Sequence, residues 1–377
     1  MDAAIPSFSL DRQYGEIAGD VHSAVERVLA SGRYVQGPEC AALETELAAA
    51  VLGGPPTEAV TCSSGTDALH LALRAVGVRP GEVVLTPAFT FFATAGAILL
   101  AGAQPEFLDI DASSFNLSPA ALEAALRRPR RERIAAILPV HLYGRLADMP
   151  AILELARRPG IPVVEDAAQA LGSTLDGRPA GSWGQAASFS FYPTKNLGAM
   201  GEGGLVSAGD AAVLDRLRLL RVHGSRRRYE HETMGWNGRM HELQAAILRA
   251  KLPHLARWIE RRRAVAARYE EGLRDVAGLA LPERTPGHGF HQYVIRVPNR
   301  DAVRQRLQER GIGTEVYYPI PLHQQPALAA YAPADGLPEA ERACRAVLAL
   351  PMYPELNPAE IERVIAAVRS AAHAASA

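Results

Sequence analysis

Ser188-Phe-Ser-Phe-Tyr-Pro-Thr-Lys195-Asn-Leu-Gly198 opens as a short strand over 188–191 and carries one of only two lysines in the chain; the other is Lys251. The remaining 38 of the 40 basic residues (40 less 2) are arginines. A guanidinium stays protonated and cannot form a Schiff base, whereas an ε-amine with a lowered pKa can. In a chain that places Arg wherever a positive charge is enough, a retained lysine points to amine chemistry; the plain alternative is that two lysines survived by chance. Upstream, Pro162-Val-Val-Glu-Asp166-Ala-Ala-Gln169 is a β-branched run that ends in a carboxylate and gives way to small residues. It reads as a buried parallel strand with Asp166 at its C-terminal end, where open α/β sheets bind their ligands. Further upstream, Ala59-Val-Thr-Cys-Ser-Ser-Gly65-Thr66-Asp-Ala-Leu-His-Leu-Ala-Leu73 reads as a strand, a loop of small residues and an amphipathic helix.

Such a loop offers free N–H groups and hydroxyls at a helix N-terminus, which suits a phosphate. A phosphate cradle, a carboxylate and a reactive lysine together describe a site for pyridoxal 5′-phosphate (PLP). The cradle takes the phosphate, the carboxylate pairs with the pyridinium nitrogen, and the lysine forms the Schiff base.

The stretch from about 58 to 220 alternates apolar strands with helical periodicity, the pattern of a mostly parallel sheet flanked by helices. Strands are expected at 83–86, 106–110, 134–140, 163–166, 188–191 and 204–207, and helices at 66–76, 119–126, 149–157 and 210–221. Two lead-in helices precede them, at 16–30 and 38–51. After a polar loop from Ser225 to Gly238, one long helix is expected from 240 to about 274, bridging two domains. The remainder reads as a smaller α+β domain, with strands at 291–297 and 313–317, a helix at 300–310 and two closing helices. The chain thus divides into a large PLP-binding domain, 1–250, and a small C-terminal domain, 251–377. No internal repeat is visible.

Length and composition agree with this division. A chain of 377 residues can bury a large core. Net charge is −1 and hydrophobic content 48%, so no general affinity for nucleic acid or membrane is indicated. The start, Met1-Asp-Ala-Ala-Ile-Pro-Ser7, lacks the basic and apolar regions of a signal peptide. Cys40, Cys62 and Cys344 are few and widely spaced, against a disulfide framework, and a cytoplasmic setting is expected. No metal site is expected: His288-Gly-Phe-His291 has ligand-like spacing but reads as a loop before a strand.

Taken together, these motifs resemble the DegT/StrS family of PLP-dependent nucleotide-sugar aminotransferases, of fold-type I in the aspartate aminotransferase superfamily. The resemblance runs from Ser31-Gly-Arg-Tyr34-Val-Gln-Gly37-Pro to Leu350-Pro-Met-Tyr-Pro354. It implies that Lys195 carries the internal aldimine and Asp166 keeps the pyridine nitrogen protonated. It places Gln169 on the cofactor's 3′-oxygen, and Gly65, Thr66 and Ser190 on the phosphate. Phe91, from Pro87-Ala-Phe-Thr-Phe-Phe92, is expected to stack on the ring, while Phe89 and Phe92 stay in the core. By the same resemblance Asn237, in Asn237-Gly-Arg239-Met, reaches the phosphate of the neighbouring chain, so the active unit is a homodimer with shared sites. Arg239 meets the donor carboxylate, for which a bidentate fork is suited; the plain alternative is a salt-bridged arginine at a helix start. His323, Tyr317 and Tyr318 lie near the substrate, and Tyr34, His223 and Tyr192 are further candidates for lining its site. Arg226-Arg-Arg228 is read as a solvated face in preference to a diphosphate contact. Gly198-Ala-Met-Gly-Glu-Gly-Gly204 is read as a turn that lets backbone approach the cofactor, since the Gly-x-Gly-x-x-Gly spacing is absent.

The expected activity is a ping-pong transamination from an amino acid, L-glutamate, to a keto sugar linked to a nucleoside diphosphate, at the 3-keto position. A related subgroup that dehydrates sugars carries histidine where Lys195 stands, so the lysine favours transamination. The rivals are a PLP-dependent dehydratase on the same fold and a PLP-binding regulatory protein without turnover.

Overall fold

The computed structural model describes residues 3–129 and 133–376. Seven strands build the central sheet: β1 (Glu58–Cys62), β2 (Val83–Pro87), β3 (Gln104–Leu108), β4 (Ile134–Ile137), β5 (Val164–Asp166), β6 (Ala186–Ser190) and β7 (Gly204–Ala208). Ladders give the orders β3-β2-β4 and β5-β6-β7-β1, and the parallel bridges Ile137–Val163 and Val140–Asp166 join β4 to β5. All neighbouring pairs run parallel except those of β7, which is antiparallel to both β6 and β1. A sheet of this kind needs both faces covered, which is why strands such as Val83-Val-Leu-Thr-Pro87 are buried throughout.

Nine helices supply the cover and the first part of the link to the C-terminal region: α1 (Asp11–Ser31), α2 (Pro38–Ala50), α3 (Gly65–Ala75), α4 (Phe92–Leu100), α5 (Pro119–Arg127), α6 (Met149–Arg157), α7 (Ala211–Leu220), α8 (Glu242–Lys251) and α9 (Leu255–Leu273). Successive strand residues point to opposite faces. Val60, Val84, Val164 and Val206 therefore meet α3 and α7 through Leu69, Ala72 and Leu217. On the other face Leu85, Ile137 and Val163 meet Leu122, Met149 and Ile152 of α5 and α6, while Phe189 and Leu205 meet Ile17, Leu43 and Leu47 of α1 and α2. Beyond α9, strands β8 (Tyr293–Arg296) and β9 (Val347–Leu350) pair antiparallel beside α10 (Arg300–Glu309), α11 (Pro338–Ala346) and α12 (Pro358–Ser376). Tyr269, Tyr293, Val303, Leu307, Val364 and Val368 form a second core there, joined by Ile5 from the N-terminal lead.

Four expectations need correction. The helix expected from 240 to 274 is two helices, α8 and α9, separated by a 3-10 turn at Leu252–His254; Pro253 lacks the N–H that an unbroken helix would need. No strand forms at 313–317, where one bridge, Glu315–Ala349, is present; the Tyr317 carbonyl is taken by the Tyr143 hydroxyl and is lost to any ladder. The polar loop after Gly224 contains a small hairpin, Ser225–Arg227 with Glu230–His231. Phe92 is not core: it opens α4, whose buried face runs through Thr94, Ala97 and Ile98, and it is 43% exposed, whereas Phe89 is fully buried.

Candidate active site

β5 delivers Asp166 at its C-terminal end, and the residue is 4% exposed. Thr94 Oγ1 donates to Asp166 Oδ2 at 2.8 Å, and the Ala168 N–H donates to Oδ1 at 3.3 Å. Burial pushes this carboxyl above its ordinary value; those two hydrogen bonds and the positive charge of Lys195 pull the other way. Glu165, one residue earlier, serves the fold: it accepts from His141 Nε2 and from the N–H groups of Gly181, Trp183 and Gly184.

Lys195 sits in the turn after β6. The Lys195 N–H donates to the Tyr192 carbonyl at 2.9 Å, and the Ala199 N–H closes the turn onto the Phe191 carbonyl at 2.7 Å. Lys195 keeps some exposed area, yet protein crowds it closely enough to lower its ammonium to about 8, with the charge of Asp166 opposing. An amine so placed is neutral often enough near neutral pH to act as a nucleophile or base. His291, buried beside it, is held well below its ordinary value by burial and by the charges of Lys195 and Arg262.

The cradle forms where β1 turns into α3. Ser64 caps α3, its Oγ accepting from the Asp67 N–H at 3.1 Å. Gly65 is demanded by close approach: a Cβ there would stand 2.6 Å from Ser190 Cβ and 2.9 Å from its Oγ. Gly65, Thr66 and Ser190 thus share one small space at the N-terminus of a helix, and the donors gathered there suit a phosphate. Gln169 is fixed at both ends, its Oε1 accepting from the Tyr143 N–H at 2.7 Å and its Nε2 donating to the Tyr318 hydroxyl at 3.0 Å. The ring of Phe91 lies 6.2 Å from that of Tyr318 and is 59% exposed, an open aromatic face at the mouth of the site.

These residues fit pyridoxal phosphate in three separate respects: a crowded lysine, a buried carboxylate, and a cradle that a methyl group would fill. The chain matches the model of the DegT/DnrJ/EryC1/StrS aminotransferase family over residues 16–369. The chain belongs to this family. It is 43% identical to the UDP-N-acetyl-3-dehydro-alpha-D-glucosamine 3-aminotransferase of Acidithiobacillus ferrooxidans over 99% of both chains. It is 46% identical to the pleiotropic regulatory protein of Geobacillus stearothermophilus over 96% of both. The crystal structure of S. venezuelae DesV in complex with a ketimine intermediate superposes with a TM-score of 0.93, at 44% identity and over 98% of each chain.

Within this family fold, the expected site residues fall into two groups. Lys195, Asp166, Gln169, Ser190, Gly65, Thr66, Phe91 and Tyr318 come together around the C-terminal ends of β5 and β6. Tyr317 joins them, its carbonyl held by Tyr143 and its hydroxyl next to Gln292; Tyr192, 49% exposed, lies within electrostatic reach of Tyr317. The second group lies elsewhere. Asn237 and Arg239 flank Gly238, whose carbonyl accepts from the Ser63 N–H at 3.1 Å, behind the cradle. Arg239 makes no ion pair among the described residues and lines a cavity of about 220 Å³ with Gln36, Thr61 and Arg221, so the salt-bridged alternative for it is not what forms. Tyr34 sits alongside, its carbonyl accepting from the Glu242 N–H. His223 is exposed, and its carbonyl takes a hydrogen bond from His231 Nδ1. His323 is buried against Glu341, with Nε2 3.1 Å from Oε1. Arg226 pairs with Asp215 and Glu232 on the surface.

Three contributors escaped the sequence reading: Thr94, Tyr143 and His291. Thr94 lies two residues beyond the Pro87–Phe92 segment, in a stretch given no element, and Tyr143 lies in a connection given none either. His291 was weighed as a metal ligand, never as a neighbour of Lys195.

Proposed function

We propose that this chain moves an amino group from L-glutamate to the 3-keto position of a sugar linked to a nucleoside diphosphate, using PLP held on Lys195. The observation that carries the proposal is the meeting of a crowded Lys195 with the buried carboxyl of Asp166 at the ends of adjacent strands. The sugar and the position follow the named activity of the 43% identical A. ferrooxidans relative.

In this reading Gly65, Thr66 and Ser190 bind the phosphate, Gln169 the 3′-oxygen, and Phe91 stacks on the ring. When bound, the cofactor supplies an electron sink for the carbanion left as a Cα proton departs. Asp166 holds a proton at the ring nitrogen, which deepens that sink. Lys195 Nζ, released by the incoming donor, takes the proton from the donor's Cα; in the second half-reaction it returns a proton to carbon 3 of the sugar. The products are 2-oxoglutarate and the 3-amino sugar. Tyr317, Tyr318 and Tyr192 line the substrate side; Arg239, set behind the cradle of its own chain, would take the donor carboxylate bound at the neighbouring subunit's site. His323, His223 and Tyr34 stand further out. The active unit is a homodimer in which Asn237 reaches the neighbour's phosphate, the catalytic domain ends near residue 250, and the enzyme works in the cytoplasm.

A regulatory protein without turnover is the second reading, favoured by the name of the 46% identical relative. One experiment separates them. The pyridoxamine phosphate form is incubated with a panel of nucleotide-linked keto sugars, and the visible absorbance of the lysine-linked cofactor is followed. Recovery with a 3-keto sugar is expected. Silence with every sugar and recovery with a small keto acid would remove the substrate class; silence with all acceptors would favour regulation.

A further inference from the structure

The chain's second lysine, Lys251, is 2% exposed, and its Nζ donates to the Gly198 carbonyl at 2.6 Å. That is its one side-chain hydrogen bond among the described residues. Lys251 ends α8 just before the Pro253 break, while Gly198 lies three residues after Lys195. The loop between is closed tightly at its neck. A Cβ on Gly198 would stand 2.2 Å from the Pro193 carbonyl oxygen, so the two ends of the turn are in direct contact. The Ala199 N–H binds the Phe191 carbonyl at 2.7 Å beside that contact. Asn196 Nδ2 ties the far side to the Gly289 carbonyl at 3.2 Å.

The geometry points to Lys251 as a positioning residue: its ammonium pins the neck of the Lys195 turn and so fixes where the Lys195 amine is presented to the cofactor. The inference rests on the assignment of Lys195 as the cofactor's lysine. A buried ammonium is costly and is kept only where its contacts offset the lost hydration. Here they are a single carbonyl, the Trp258 ring 6.0 Å away and the charge of Glu355. A guanidinium is a broad planar fork, whereas an ammonium is a compact point charge that fits one carbonyl at the end of a straight stem. This accounts for a lysine at 251 in a chain that, Lys195 aside, uses arginine. Arg262, on the other side of the Pro253 break, binds the carbonyls of Phe290, His291 and Met352. The bent α8–α9 pair thereby holds the Lys195 turn through Lys251 and the Phe290–His291 segment through Arg262.

The test uses full-length Lys251→Met and Lys251→Arg, each freed of cofactor. Added PLP loses water as its aldehyde joins the Lys195 amine, and the absorbance that appears is trapped with borohydride and mapped to Lys195. Pyridoxamine phosphate, which has no aldehyde, measures the rest of the site. In Lys251→Met the link should form about tenfold more slowly, as for a displaced reacting group. Affinity for pyridoxamine phosphate should be unchanged, and kcat should fall with KM for donor and acceptor unaltered. Lys251→Arg retains a cation against the carbonyl and should show the same split with a smaller loss; it carries the test alone if Lys251→Met does not fold. Parental rates in the folded variants, or parallel weakening of both cofactor forms, would overturn the inference. No sugar or donor enters the linking measurement, so it stands apart from the substrate assignment; a parent protein that forms no link at Lys195 would remove both.

Discussion

The hydroxyl of Thr94 and the carboxylate of Asp166 are joined by a buried 2.8 Å hydrogen bond that ties the first turn of α4 to the end of β5. This bond opposes burial. Desolvation raises the Asp166 pKa, and the hydroxyl is foremost among the contacts that restrain it. Removing the donor therefore favours a neutral carboxyl that keeps its own proton, and weakens its hold on a protonated ring nitrogen.

Thr94→Val should accordingly lower kcat by on the order of tenfold, and should cost about 1–3 kcal/mol of stability from an unsatisfied buried acceptor. Thr94→Ser keeps the hydroxyl and should restore both. Steady-state rates and denaturant midpoints of the two variants decide the matter; if Thr94→Val turns over like the parent, the carboxylate needs no such restraint.

Lys195 gives a pH prediction. Its folded pKa is lowered from 10.5 to about 8, chiefly by burial, and the neutral amine is the nucleophile. The rate at which the cofactor-free protein links to added PLP should rise with pH, be half-maximal at about 8, and fall as the amine is protonated below that point. Absorbance kinetics across this range measure it. A midpoint near the ordinary lysine value would mean that burial does not activate the amine. In Lys195→Ala, PLP should remain bound without any borohydride-stable link.

What the sequence made legible was whatever is local. Asp166 could be placed because a β-branched run ending in a carboxylate is a strand end, and Gly65 because small residues between a strand and a helix leave N–H groups free. Thr94 could not be placed, because its partner is 72 residues away and only the sheet order brings them together. The same holds for Tyr143, which fixes Gln169 from a 3-10 turn, Leu142–Gly144, in the connection after β4. The break between α8 and α9 falls at Pro253, and the helical periodicity that continues on both sides of it reads as one helix. The positions of Asn237 and Arg239 depend on how residues 235–240 fold back behind Ser63, and no local pattern encodes that.

Gly65 offers a steric test of the cradle. A Cβ at this position meets Ser190 Cβ at 2.6 Å, so Gly65→Ala must shift β6 or α3, at about 1–3 kcal/mol for overpacking. PLP affinity should fall with it. Adding Ser190→Gly removes the clashing atoms, so the double variant should regain stability. It should not regain affinity, because the Ser190 hydroxyl is gone. Denaturant midpoints and cofactor titrations read the two effects separately, and a Gly65→Ala protein that binds PLP as the parent does would dissociate Gly65 from the phosphate.

The last prediction concerns the shared site. The side chain of Asn237 is exposed in the single chain; in the proposed dimer it serves the neighbour's phosphate while Lys195 serves its own subunit. Lys195→Ala is one parent and Asn237→Asp the other, the latter setting a carboxylate against the phosphate. Each homodimer should be inactive or nearly so, since both of its sites carry a lesion. In the mixed dimer, the Lys195→Ala subunit builds its site with the defective residue 237 of its partner, so one site bears both lesions. The other site has an intact lysine from its own chain and an intact asparagine from across the interface. Activity should therefore reappear when the two proteins are dissociated, mixed and reassociated, at half the parental rate per dimer if the sites act independently. A mixed dimer verified by mass and still inactive would remove the composite site, and Asn237 would then be a surface residue beside its own chain's cradle.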